Sequence, residues 1–195
     1  GDVMKDLIFY IRDNELINKK AGLNDYYYAT IHRPYNTDSK ERLSYVLESL
    51  NTLNLKVIMT IHPRTKNLMT KYRLKENAYA NIVFMLPQPY LENLSYLFHS
   101  NGLITDSGGM QKEAYWLEKK CITIRKETEW LETLTNGNNT LFFEDLTVIQ
   151  KSLDKPCNSW NTTLYGDGNT SNKIVDIILK EIFLNNPEKE EYSKI

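Results

Sequence analysis

Apolar residues recur along the chain in two different patterns. Short runs rich in β-branched and aromatic residues, with almost no charge, alternate with longer stretches whose apolar positions recur every three or four residues. The short runs are typical of strands buried on both faces, and the longer stretches are typical of amphipathic helices. The predicted strands are, in chain order, residues 26–31, 55–61, 81–85, 102–105, 121–124 and 139–143.

Helices are predicted between these strands. The clearest follows Asp38 and Ser39, either of which would cap it, and its apolar face carries Leu43, Val46, Leu47 and Leu50. The other predicted helices are residues 3–20, 65–75, 90–99, 108–118, 127–135 and a last one that carries Ile174, Val175, Ile178, Leu179 and Ile182. This alternation predicts an α/β fold, in which helices cover both faces of a parallel sheet. Residues 154–168 are predicted to be a loop, and the charged residues 184–195 a loose tail.

Composition limits the classes of function. The 195 residues fit one domain with a substantial core, and the net charge of −1 argues against binding to nucleic acid or to an anionic membrane. The chain has neither a transmembrane run nor a signal peptide, so a cytoplasmic protein is expected. Two cysteines, Cys121 and Cys157, indicate neither a disulfide framework nor a metal site. Because the chain enters a helix at once without an initial methionine, we expect it to be part of a longer protein.

A polar turn with two glycines joins the fourth predicted strand to a helix. Gly108 and Gly109 lack a Cβ, and the unpaired N–H groups that open the helix favour an anion, above all a phosphate. Glu113 lies one helical turn further on, where its carboxylate could accept from two sugar hydroxyls. The turn therefore predicts a nucleotide site, although neither a dinucleotide fingerprint nor a P-loop motif occurs. The alternative is that Asp106 and Ser107 only cap the helix.

Polar residues follow the carboxyl ends of several predicted strands. These ends meet at one edge of a parallel sheet, where ligands bind near the point at which the strand order reverses. Cationic side chains at that edge suit a diphosphate. His99 lies in a helix away from the edge and is interpreted as a structural or surface residue. The residues in question are His32, Arg33, His62, Arg64, Gln88, Asp106, Ser107 and Arg125.

Taken together, these residues resemble the C-terminal domain of the non-hydrolysing UDP-N-acetylglucosamine 2-epimerases. The resemblance implies that residues 1–195 form a single Rossmann-like UDP-binding domain, the C-terminal half of a GT-B architecture whose N-terminal domain is missing here. The matching pieces occur in the family's order over almost the whole chain: Gly1-Asp2-Val3-Met4, His32-Arg33, His62-Pro63, Thr105-Asp106-Ser107-Gly108-Gly109 with Gln111 and Glu113, Arg125, Thr128-Glu129 with Glu132, and Tyr165-Gly166-Asp167-Gly168.

The resemblance also implies roles for individual residues. His32 is the family's functional histidine in this half and is expected to be catalytic. Arg33 and His62 match positions that, in some bacterial members, contact a second, regulatory UDP-GlcNAc. The residues implied to bind UDP are Ser107, Gly108 and Gly109 at the diphosphate, Glu113 at the ribose, Gln88 at the uracil, and Arg125.

The implied reaction converts UDP-GlcNAc into UDP-ManNAc, for the synthesis of cell-surface polysaccharide precursors. UDP is eliminated and added back, without a metal or other cofactor, and the acid/base carboxylates belong to the N-terminal domain. This chain alone is therefore expected to bind UDP weakly and to be inactive. Members of the family are commonly homodimers, so the full-length protein is expected to be one.

Three departures from the family pattern leave the substrate open. Trp130 replaces an arginine, Asn93 replaces an aromatic residue near the base pocket, and Pro34-Tyr35 replaces Arg-Glu. These changes could mark a modified UDP-hexosamine or be neutral. Two other classes of function stay open: the nucleotide-binding domain of a GT-B UDP-sugar glycosyltransferase, and a non-catalytic nucleotide-binding module.

Overall fold

The computed structural model describes residues 1–17, 24–157 and 159–185, the side chains of 183–185 excepted. The described residues between 15 and 160 form one compact unit, and residues 1–14 with residues 161–185 form another. The predicted single domain stays a prediction. Most of the predicted tail lies outside the described residues, although the last helix extends two residues into it.

A six-stranded parallel sheet forms the centre of the larger unit. Its strand order is β3-β2-β1-β4-β5-β6, so the order reverses between β1 and β4, as in doubly wound Rossmann folds. This confirms the predicted α/β fold, and the observed strand ends differ from the predicted ones by no more than a residue. The strands are β1 (Tyr26–Thr30), β2 (Lys56–Thr60), β3 (Ile82–Met85), β4 (Gly102–Thr105), β5 (Cys121–Ile124) and β6 (Asn139–Phe142).

Helices alternate with these strands along the chain. On α3 the four apolar residues predicted to share one face are all fully buried, and Ser39 caps the helix by accepting from the Arg42 N–H at 3.2 Å. The helices are α1 (Val3–Asp13), α2 (Pro34–Thr37), α3 (Lys40–Asn51), α4 (Pro63–Tyr72), α5 (Tyr90–His99), α6 (Gly108–Trp116), α7 (Ile149–Leu153) and α8 (Thr170–Asn185), with 3₁₀ segments at Glu76–Ala78 and Leu131–Gly137.

Two helix predictions were wrong in extent. Helix α1 ends at Asp13 and not at residue 20, because the Asn14 amide donates to the Tyr10 carbonyl and Glu15 adopts a left-handed φ of 54°; residues 18–20 lie outside the described chain. The helix predicted at 127–135 is instead a 3₁₀ segment that starts at Leu131 and is interrupted at Thr135.

The strand register brings the segments after β1, β2 and β4 to one level. Ala29 pairs with Met59 of β2, and Thr30 pairs with Thr105 of β4. The chain therefore leaves all three strands at the same edge of the sheet. This is the edge at which the sequence predicted a ligand site.

The smaller unit is organised around a buried lysine. Lys5 is almost completely buried, and its ammonium donates to the carbonyl oxygens of Thr162 at 2.6 Å, Leu164 at 3.0 Å and Gly166 at 2.5 Å. Burial lowers the pKa of Lys5, and two nearby carboxylates oppose that shift. One side chain of α1 thus fixes the turn that precedes α8.

Candidate functional site

A cleft of about 180 Å³ opens at the carboxyl ends of β1, β2, β3 and β4. Four residues predicted from the sequence line it together: His32, His62, Gln88 and Ser107. Each comes from the segment after a different strand, so the cleft lies across the point where the strand order reverses. Its apolar wall includes Ile31, Ile61, Pro87 and Met110.

Asp106 fixes the segment that carries His32. Its fully buried carboxylate accepts from the backbone N–H of His32, at 3.1 Å to each oxygen, and from that of Arg33 at 2.9 Å. The Asn36 amide donates to it at 3.0 Å. The sequence suggested a helix cap for Asp106, but the carboxylate instead anchors the chain after β1 from the neighbouring strand.

Asn36 extends this anchor to two further elements. Its amide nitrogen also donates to the carbonyl of Ile124, at the end of β5, at 2.9 Å. Its amide oxygen accepts from Arg42 of α3, at 3.1 Å from Nε and 3.0 Å from Nη2. Pro34 fits this arrangement because it stands at the first position of α2, where its missing N–H has no partner to lose.

The imidazole of His32 is held in a neutral, oriented state. Its Nδ1 lies 3.3 Å from Asp106 Oδ1, and since a carboxylate only accepts, the proton is favoured on Nδ1 and the lone pair on Nε2. Burial lowers the pKa of His32, and Arg33 and His62 lower it further against the opposing effect of Asp106. His32 therefore offers the cleft a hydrogen-bond acceptor at neutral pH.

His62 and Gln88 are positioned by local backbone contacts. His62 caps α4, since its Nδ1 accepts from the Arg64 N–H at 3.2 Å, and its ring centroid lies 5.9 Å from that of His32. The Gln88 amide donates to the Leu86 carbonyl at 2.7 Å. Both side chains are thereby fixed beside the cleft.

The start of α6 carries no side-chain cap. Ser107 occupies the N-cap position, but within the described chain its hydroxyl makes no capping hydrogen bond. Asp106, the other proposed cap, uses its carboxylate on the segment after β1. The capping alternative is therefore wrong for both residues. The N–H groups that open α6 are left for another acceptor.

The two glycines at this start have different surroundings. A Cβ on Gly108 would lie 2.6 Å from Glu129 Oε1 and 3.2 Å from Trp130 Nε1, so this position excludes any side chain unless those two groups move. A Cβ on Gly109 would meet no described atom within 4 Å. Gly108 thus permits the close approach of the segment after β5, whereas Gly109 faces open space.

Gln111 fastens that segment to α6. Its fully buried side chain accepts from the Thr128 hydroxyl at 2.7 Å and from the Asn139 amide at 3.1 Å, and donates to the Ser107 carbonyl at 3.3 Å. The Thr128 hydroxyl in turn accepts from the Trp130 N–H at 3.1 Å. Gln111 and Thr128 belong to the family pattern, but the resemblance implied no role for them. This network shows that both residues hold the segment after β5 against α6.

Glu113 is buried on α6 with only 7% of its surface exposed. Burial raises the pKa of its carboxyl, while the nearby Tyr90 hydroxyl and the charge of Lys112 act in the opposite direction. Burial and Glu113 both raise the pKa of Tyr90. The carboxylate is therefore costly to ionise here, and hydroxyl donors from a ligand would offset that cost.

The raised pKa predicts how stability depends on pH. The folded state keeps a proton on Glu113 that the unfolded state releases above about pH 4.5, so the wild type loses stability as pH rises from there to the native pKa. Stability falls by about 1.4 kcal/mol for each pH unit between the unfolded and the native pKa. Glu113→Gln removes this dependence. Urea unfolding of both proteins between pH 4 and 8 should show the variant gaining relative stability with pH, and parallel curves would contradict the prediction.

The departure at Asn93 is explained by a tyrosine of β1. The Tyr28 hydroxyl donates to the Asn93 amide oxygen and lies 2.9 Å from the Thr60 hydroxyl, while the Tyr28 ring stacks on Tyr96 with centroids 5.8 Å apart. Burial raises the pKa of Tyr28, so the phenol stays a donor. Asn93 thus makes a hydrogen bond with Tyr28 at the position where the family has an aromatic residue. The sequence alone did not reveal this pair.

Arg125 and Arg33 do not line the cleft, and neither do Gly108, Gly109 and Glu113, which follow Ser107 on α6. Arg125 borders a separate groove of about 220 Å³ with Tyr35 and Phe143, and its Nη1 lies 2.9 Å from Glu129 Oε2. Arg33 is held through its backbone, and its Nε is buried without a hydrogen-bond partner among the described residues. The roles suggested for both arginines stay predictions.

The described part of the chain has neither a metal-binding cluster nor a membrane-spanning helix. Across residues 1–17, 24–157 and 159–185, no group of three or more His, Cys, Asp or Glu side chains could hold a metal ion. None of the helices described above is long and apolar enough to cross a membrane.

His99 borders a groove with residues that flank the amino ends of the strands, away from the cleft.

The strand order and the cleft at its switch point define a Rossmann-type α/β protein. Comparison with known families narrows this class. The family described as UDP-N-acetylglucosamine 2-epimerase matches residues 1–179. The chain belongs to the UDP-N-acetylglucosamine 2-epimerase family.

Individual relatives agree with this assignment. A UDP-N-acetylglucosamine 2-epimerase homolog of Methanococcus maripaludis is 37% identical, over 91% of this chain and 53% of its own length. A UDP-2,3-diacetamido-2,3-dideoxy-D-glucuronate 2-epimerase of Pseudomonas aeruginosa is 36% identical, over 92% and 52%. The crystal structure of Methanocaldococcus jannaschii UDP-GlcNAc 2-epimerase, in complex with UDP-GlcNAc and UDP, superposes with a TM-score of 0.81 at 30% identity, over 92% and 54%. The chain thus spans about half the length of these relatives.

Proposed function

We propose that this chain is the UDP-binding half of a non-hydrolysing epimerase that interconverts UDP-GlcNAc and UDP-ManNAc. The observation that carries the proposal is the cleft where His32, His62 and Gln88 meet the uncapped start of α6. The relative from M. jannaschii, whose structure holds UDP-GlcNAc and UDP, supports the choice of ligand. In the full-length protein, expected to be a homodimer, the product would serve polysaccharide synthesis.

The proposed site suits the departure of UDP from a sugar. When the bond between the sugar C1 and the diphosphate oxygen breaks, its electron pair passes to the diphosphate. The N–H groups and positive dipole end at Ser107, Gly108 and Gly109 would stabilise that charge, because they are already oriented and cost no reorganisation. The carboxylates that remove and return the C2 proton would come from the other half of the enzyme.

The size of the cleft favours a site that is completed by that other half. Its volume of about 180 Å³ is below the roughly 300–1,000 Å³ of ordinary small-molecule pockets. The chain also spans only about half of its relatives. We therefore propose that this chain alone binds UDP weakly and does not epimerise the sugar.

Calorimetric titration of the chain with UDP, GDP and NAD, at one salt concentration, tests the ligand. UDP should bind and the other two should not. A preference for GDP or NAD would contradict the proposal, and an absence of binding by all three would remove the nucleotide site. The full-length protein would then be assayed for conversion of UDP-GlcNAc into UDP-ManNAc, and transfer of the sugar to an acceptor would instead indicate a glycosyltransferase.

Glu113→Ala should weaken UDP binding by about 1.5–3 kcal/mol, because the ribose loses its charge-assisted hydrogen bonds. The UDP affinity of Glu113→Gln should lie between that of Glu113→Ala and that of the wild type, because the glutamine amide oxygen can still accept a hydrogen bond from the ribose. The matched control is Glu76→Gln, which should bind UDP as the wild type does, because the Glu76 carboxylate is exposed and pairs with Lys66 at 3.4 Å. Unchanged affinity in Glu113→Ala would place the nucleotide elsewhere.

A modified UDP-hexosamine is the second candidate substrate. The relative from P. aeruginosa is named for a UDP-diacetamido-glucuronate, and its identity is close to that of the M. maripaludis homolog. The Lys112 ammonium, 3.9 Å above the Trp130 ring, supplies a cation where the family has an arginine. Parallel assays of the full-length protein on UDP-GlcNAc and on the glucuronate would decide between them.

A further inference from the structure

The side chain of Glu129 stands at the start of α6. In a helix the Cα–Cβ bond tilts toward the amino end, so an atom 2.6 Å from a Cβ built on Gly108 lies beside the first helical residue. The atom at that distance is Oε1 of Glu129. The other carboxylate oxygen, Oε2, lies 2.9 Å from Nη1 of Arg125. One carboxylate therefore pairs with Arg125, a predicted UDP-binding residue, and lies beside the helix start that is proposed to hold the diphosphate.

The surroundings favour an anion at this place. The amino end of α6 carries partial positive charge and lacks a side-chain cap among the described residues, and Arg125 adds a full charge. A carboxylate and a phosphate are both anions that helix starts and arginines bind. Glu129 is thus a protein-borne anion in the position that the proposed function gives to the diphosphate.

In the ion pair between Arg125 and Glu129, the Glu129 side chain has the greater freedom to move. Its side chain is 47% exposed, whereas that of Arg125 is only 15% exposed. The backbone around it is fixed, because the neighbouring Thr128 hydroxyl is bonded to the buried Gln111. A rotation of the Glu129 side chain into solvent would therefore free both Arg125 and the helix start without moving the backbone.

We propose that Glu129 is an internal competitor of the nucleotide, which pairs with Arg125 and occupies the space beside the start of α6 until a diphosphate displaces it. This inference rests on the proposed function, since it assigns the diphosphate to the same place. It gives Glu129 a role in setting the affinity for UDP. It also explains how Arg125, which does not line the cleft, becomes available when the ligand arrives.

The test compares the UDP affinity of three variants by calorimetry. Glu129→Gln removes the competing charge and should bind UDP roughly two- to fivefold more tightly than the wild type, the range expected for a half-exposed ion pair. Glu129→Asp keeps the charge but is one methylene shorter, so it should also bind more tightly. Glu127→Gln makes the same change of charge two residues away and should match the wild type.

The outcomes separate this inference from the proposed function. Tighter UDP binding by Glu129→Gln and Glu129→Asp, with Glu127→Gln unchanged, supports the competitor. Equal or weaker binding by Glu129→Gln, when the wild type binds UDP, overturns the competitor and leaves the proposed function standing. An equal gain in Glu127→Gln also overturns it, because general charge would then be the cause. If UDP binds neither the wild type nor Glu129→Gln, both proposals fail.

Discussion

Replacement of Asp106 by alanine should lower the free energy of unfolding by about 3–5 kcal/mol. The buried carboxylate accepts from two backbone N–H groups and one amide, and it also faces His32 Nδ1. Without it, the donors of His32, Arg33 and Asn36 are left buried and unpaired. A buried donor that loses its partner forfeits the hydrogen bond and still carries its cost of desolvation.

Urea unfolding of Asp106→Ala and the wild type at pH 7 measures this loss. Asp38→Ala is the matched control, because Asp38 forms an exposed ion pair with Arg64 and should cost no more than about 1 kcal/mol. If the two variants were equally stable, Asp106 would not be the anchor described above.

The second large effect concerns turnover of the full-length enzyme. His32→Ala should lower kcat by about 10²–10⁴-fold, the usual contribution of a positioned proton-transfer group, while the fold stays intact. The reason is the neutral ring at the cleft, whose Nδ1 faces Asp106 and whose Nε2 is free to accept. Rates of UDP-GlcNAc epimerisation, together with unfolding curves, would measure both parts of the prediction.

His99→Ala supplies the control for that experiment. His99 lies at the end of α5, in a groove away from the cleft, so its loss should leave kcat close to that of the wild type. A fully active His32→Ala enzyme would rule out the catalytic assignment. A large loss in both variants would indicate a general effect on the fold.

The features that the sequence predicted well are those set by local pattern. The buried face of α3 follows from the spacing of Leu43, Val46, Leu47 and Leu50, and the strand ends follow from uncharged runs that stop at polar residues. The position of His32, His62, Gln88 and Ser107 at one cleft follows from the geometry of parallel strands. Each of these inferences needs only neighbouring residues and the period of an element.

Most of the features that were missed depend on partners far away in the chain. The contacts of Asp106 with His32 and Asn36 join residues 70 or more positions apart, and nothing in the local pattern marks them. The bond between the Thr128 hydroxyl and Gln111 likewise joins residues 17 positions apart. The early end of α1 was also hidden, because a single left-handed residue, Glu15, leaves the apolar spacing before it intact.

The anchor at Asp106 has a consequence for the reading of genetic screens. Its carboxylate is fully buried and points at the backbone and amide of the segment after β1, and it does not line the cleft. Substitutions there would nevertheless be recovered among inactive variants, since they release the segment that presents His32. A map of activity loss would therefore mark Asp106 as a site residue, and only a parallel map of protein abundance would separate its role from that of the histidine it supports.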